Sequence, residues 1–66
     1  MNRALFDAYR ASISDWRGAP SEETAAASVA AYSEWIRDFS PDTAVDLIAI
    51  FRADLSSALD AAKMAA

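Results

Sequence analysis

The chain has 66 residues, a formal net charge of −4, one glycine, two prolines, and neither cysteine nor histidine. That excludes a disulfide framework, a thiolate nucleophile and an imidazole base, and it leaves zinc without its usual nitrogen and sulfur ligands. Alanine supplies 17 residues, and with so little glycine and proline this is the composition of an all-helical protein.

A chain this short makes one domain, spanning residues 1–66. Size scaling lets it bury only about 60% of the surface its unfolded form exposes. The hydrophobic gain and the entropy cost of ordering are then nearly balanced. A partner or a second copy would add the missing margin. Ten acids against six bases do not make the basic face that nucleic acid or an anionic membrane requires. No run of 18 apolar residues exists to span a bilayer. Asp7 interrupts the apolar stretch a secretion signal needs, so a cytoplasmic setting is expected. The chain begins with Met and reads as complete.

Helix 1 is predicted over about 3–17. Asn2 is its N-cap, and Gly18 suits a left-handed position just past Arg17. Leu5, Phe6, Tyr9, Ile13 and Trp16 fall on one side at helical spacing. Arg3, Arg10, Ser14 and Arg17 lie on the flank beyond Phe6.

Helix 2 is predicted over about 22–38. Ser21 caps it, and Glu22 and Glu23 occupy the first turn, where the helix dipole favours negative charge. Ala25, Val29, Tyr32, Ile36 and Phe39 repeat at 4-3-4-3 spacing, the stripe expected to face the core. Trp35 lies at the edge of that stripe.

Helix 3 is predicted over about 41–63, with Ser40 as N-cap and Pro41 at the first helical position. Ala44, Ile48, Phe51, Leu55, Ala58, Leu59 and Ala62 form its apolar face. Val45 and Ile50 fall outside it. Short connections make neighbouring helices antiparallel. The fold class is therefore all-α, a small antiparallel three-helix bundle that oligomerisation or a partner would complete.

No catalytic constellation is present. The serines lack a histidine, and the only lysine, Lys63, reads as a solvated end charge. Glu34 with Asp38, and Asp42 with Asp46, are carboxylates one turn apart, but each pair lies on a predicted polar face. No cofactor, metal or small-molecule substrate is expected. What remains is surface. Trp35 reads as a partly exposed anchor of the kind enriched in protein interfaces. Leu47 and Ile50 form a small apolar patch on helix 3, bordered by Asp54. These four are the expected interface residues.

The expected function is accordingly a non-enzymatic helical protein-binding module, an accessory, adaptor or regulatory subunit. It would act through an apolar helix face edged by acids. A self-assembling homo-oligomer is the first alternative. A small inhibitor of the type phages and mobile elements direct at host proteins is the second.

Overall fold

The computed structural model describes residues 2–65. They form three helices, α1 (Arg3–Gly18), α2 (Glu22–Phe39) and α3 (Ala44–Ala65), packed as a small three-helix bundle. Cross-chain contacts set the directions. The Asn2 N–H donates to Asp38 Oδ2 (2.8 Å), and the Ser28 hydroxyl donates to the Ser12 carbonyl (3.1 Å), so α1 and α2 run antiparallel. Tyr32 meets Phe51 at 4.4 Å between ring centroids, and Lys63 reaches Glu22 at 3.2 Å, so α2 and α3 also run antiparallel. No helix among the described residues is long and apolar enough to cross a membrane.

The helix starts show how local chemistry directs the chain. The Asn2 side chain accepts the Ala4 N–H at 2.9 Å, capping α1 as its residue type predicts. At α2 the capping is reciprocal. Ser21 Oγ accepts the Thr24 N–H (3.1 Å) while Thr24 Oγ1 accepts the Ser21 N–H (2.9 Å). Two otherwise orphaned donors are satisfied at once.

Two expectations at the junctions are corrected. Gly18 does not adopt a left-handed conformation. It closes α1 as its last helical residue, no residue has positive φ among those described, and Ala19 ends the helix with its N–H on the Asp15 carbonyl. Ser40 does not cap α3 either. Its backbone is spent on terminating α2, with its N–H on the Ile36 carbonyl at 2.7 Å. Pro41–Thr43 then form a tight turn, stapled by Ser40 Oγ against Thr43 Oγ1 at 2.7 Å. Helix α3 therefore starts three residues later than its proline suggested, and it continues to Ala65.

The helices lie side by side, with α2 in the middle. The chain trace measures 38 × 22 × 12 Å, so it is thinnest in one direction. Among the described residues the backbones of α1 and α3 nowhere approach within 8 Å, Cα to Cα. Their side chains meet instead, with the rings of Tyr9 and Phe51 5.9 Å apart. The flat arrangement leaves 4532 Å² of accessible surface, against roughly 4,100 Å² for a monomer of this mass.

The core is correspondingly thin. Ile36, Ala44 and Ile48 form its centre, with Val29, Tyr32, Trp35 and Leu47 packed against them, and Leu55 and Leu59 extend the burial along α3. Helix α1 has no fully buried residue; its five apolar side chains are only partly covered. The predicted α2 stripe also needs revision at both ends of the polarity scale. Phe39 is 56% exposed, whereas Ser28 is completely buried and Ser33 nearly so. A serine is small enough to let α1 approach α2 closely, and the Ser12 carbonyl satisfies the Ser28 hydroxyl there. Ser33 returns its hydroxyl to the Val29 carbonyl one turn back (2.7 Å). On α3, Ala58 and Ala62 are exposed rather than part of the core.

An aromatic cluster binds the three helices. Trp35 is its hub, stacked on Tyr9 (5.3 Å, 14° between planes) and close to Phe6, Tyr32 and Phe39. The Trp35 indole N–H is buried, with no hydrogen-bond partner among the described residues. Burial raises the Tyr32 phenol above its ordinary value of 10.0, and the neighbouring Tyr9 adds to the rise.

Candidate functional site: the groove between α2 and α3

The four residues expected to form an interface are divided by the structure. Trp35 and Leu47 are partly buried against the same Ile36–Ala44–Ile48 cluster. Ile50, 59% exposed, and Asp54 remain on the free surface of α3, one turn apart. The first two are therefore largely engaged in holding the helices together, and only the second two are freely accessible.

A different feature is concave. On the face of the α2–α3 pair a groove of ≈ 690 Å³ runs along the two helices. Its floor is built from Ala25, Val29 and Ser33 of α2 and Leu55 and Leu59 of α3. Ala26 and Ala30 line it from the α2 side, and Ser56 lines it from α3. Its edges carry Glu22, Glu34 and Arg37 from α2, and Arg52, Asp60 and Lys63 from α3.

The groove follows from a second periodicity in each helix. On α2, Ala26, Ala30, Ser33 and Arg37 recur at 4-3-4 spacing, offset from the core-facing stripe. On α3, Arg52, Ser56, Leu59 and Lys63 recur at 4-3-4 spacing. Each set lies along one side of its helix. Because Ala26, Ala30 and Ser33 on α2 and Ser56 on α3 are small, the space between the two helices stays open. Val45, 81% exposed, lies outside the groove. The pattern was present in the sequence, but its hydropathy contrast is weak, since alanine and serine sit near the middle of any scale. The larger core residues dominate the signal.

The groove's electrostatics are polarised along its length. One end holds Glu22 and Asp60, and Lys63 there is paired with Glu22 at 3.2 Å in a solvent-exposed contact. The other end holds Arg37 and Arg52 beside Glu34. Among the described residues, Glu34, Arg37, Arg52 and Asp60 have no ion-pair partner within the chain. Also among the described residues, no three acids gather into a group able to hold a metal ion. The groove's chemistry is that of a docking surface, with a methyl-lined floor for apolar contact and charges on both rims for orientation.

No protein family, no curated protein and no solved structure matches this chain.

Proposed function

We propose that this chain is a small, cytoplasmic, non-enzymatic protein-binding module, an accessory or regulatory subunit that docks helix to helix. Its docking surface is the α2–α3 groove, an apolar face whose acidic edge residues are Glu22, Glu34 and Asp60. The observation that carries this reading is the groove's build. Small side chains on adjacent helices leave an open trough of ≈ 690 Å³, and no element of the described chain covers it. Helix-in-groove recognition uses this geometry, with anchors from one apolar face seated in a trough and charges fixing direction. The thin core supports the same reading, because a fold that buries little gains stability from any surface that covers it.

The test fills the trough. Ala30 is exposed on the groove wall, so Ala30→Trp should leave the helical circular-dichroism spectrum unchanged while removing the bound proteins that the unmodified chain retains from native extract. Retention of the same proteins at the same level by both forms would show that the groove is not the docking surface.

A further inference from the structure

We propose that α1 carries a second docking surface, which takes an acidic helix of another protein through Arg10 and Arg17. This surface is separate from the α2–α3 groove and does not depend on it.

A depression of ≈ 430 Å³ lies along α1, lined by Phe6, Tyr9, Arg10, Ile13, Ser14 and Arg17. Phe6, Tyr9 and Ile13 are half-buried and make an apolar floor, while Arg10, Ser14 and Arg17 are exposed. No acid lines it. In a chain with ten acids and six bases, it is a positive site on a negative molecule.

Neither guanidinium is committed to an acid. Among the described residues, Arg10 and Arg17 have no ion-pair partner. Asp7, one turn before Arg10, is drawn to Arg3 at 3.9 Å instead. Asp15 is two residues from Arg17 and so projects from another side of the helix. Arg10 is nonetheless placed. Its guanidinium stands 5.9 Å from the centre of the Phe6 ring, a cation–π contact with the ring face that leaves its N–H donors available.

The spacing selects the partner. Arg10 and Arg17 are seven residues apart, two helical turns or about 10 Å. Ser14 stands between them on the same face. A partner helix also returns to one face every seven residues, so carboxylates at that spacing meet both guanidiniums. Arginine binds a carboxylate through paired N–H groups. An apolar side chain between those carboxylates then falls over Phe6, Tyr9 and Ile13. An apolar anchor flanked by oriented charges is how helices dock on protein surfaces. Nucleic acid fits less well, because its binding rests on neutralising several phosphates, and two cations line this site.

Titration of the full chain, followed by NMR, tests the idea. The probe is a designed helical peptide with two glutamates seven residues apart and a leucine between them. Shift changes are expected at Phe6, Tyr9, Ile13 and Ser14, with binding that weakens as salt rises. A peptide with glutamines in place of the glutamates should lose that binding. Arg10→Gln and Arg17→Gln should each weaken it about threefold, and together about tenfold. Ser57→Glu makes an equal change of net charge at an exposed position of α3 outside both surfaces, and it should leave binding unchanged. The shift map and the glutamine peptide use the unmodified chain, so they decide the matter even where a variant loses helicity. Absence of binding at millimolar peptide overturns the proposal. So does equal affinity for the glutamine peptide, or an equal loss in Ser57→Glu. Tighter binding of a short DNA duplex at the same residues would assign the site to nucleic acid and overturn the acidic-helix partner. The Ala30→Trp capture experiment reports on the groove alone, so either surface can fail without the other.

Discussion

The Ser28 hydroxyl donates across the α1–α2 interface to the carbonyl oxygen of Ser12, at 3.1 Å, from the only side chain in the described chain that is fully buried. A polar side chain thus sits at the most deeply buried position and is satisfied by the neighbouring helix. Its replacement by alanine keeps the close approach and loses only the hydrogen bond, a net cost of about 1 kcal/mol. Its replacement by valine adds volume where there is none and should cost about 1–3 kcal/mol through forced separation of the helices. Chemical unfolding of the two variants checks this order. Equal stability for Ser28→Val and Ser28→Ala would mean that α1 is not held closely.

Gly18 offers a test of opposite sign to its usual behaviour. It lies inside the last turn of α1 without positive φ, and an added Cβ would meet nothing within 4 Å. Gly18→Ala should therefore raise stability by about 0.5–1 kcal/mol, through reduced freedom of the unfolded chain and better helix propensity. A glycine in the left-handed conformation would respond with a loss, so the sign of the change in thermal midpoint decides between the two backbones.

Trp35 combines a large packed ring system with an indole N–H that is buried and unpaired. Leaving a buried donor unsatisfied costs about 1–3 kcal/mol. Trp35→Phe removes that penalty together with some contact area, and the two effects oppose each other. Its net effect should stay within about 1 kcal/mol, whereas Trp35→Ala, which opens a cavity among Phe6, Tyr9 and Tyr32, should cost about 3 kcal/mol or more. Equilibrium unfolding of both variants measures the contrast. Equal losses would show that the N–H carries no penalty.

Tyr32 makes stability depend on alkaline pH. Its phenol is raised above 10.0, first by burial and then by Tyr9. Above pH 10 the folded chain therefore holds this proton more tightly than the unfolded chain does. Linkage makes the contribution fully present below that pH and progressively lost as pH rises through the raised folded value. Thermal unfolding followed from neutral pH into the alkaline range should show the decline, and Tyr32→Phe should flatten it. An unchanged decline in Tyr32→Phe would assign the effect to other groups.

Several elements were legible without coordinates because their causes are local. Ser21 and Asn2 announce helix starts through side chains that reach only two or three residues along the chain. The periodicity of Ile36, Ile48, Leu55 and Leu59 marks a core face because large aliphatic residues have few other places to go. Ser40 misled because the same residue can end one helix or begin the next, and the spacing alone does not say which helix claims its backbone. Trp35, Leu47, Ile50 and Asp54 look alike as edge residues on helical projections. Whether an edge is covered depends on where the neighbouring helix lies, and here the neighbours cover the first two and leave the last two open.

Composition and periodicity by themselves determined that the chain is helical, that it makes three helices with short joints, and which large residues turn inward. These properties depend on propensity, capping and burial of one face, all encoded within a few turns of helix. Only the tertiary structure decided that α2 stands in the middle, that Ser28 rather than a hydrophobic residue occupies the closest contact, and that the alanine stripe of α2 faces a groove shared with α3. Those outcomes depend on the distances between helices, and such distances are set by small side chains whose hydropathy signals almost nothing in one dimension.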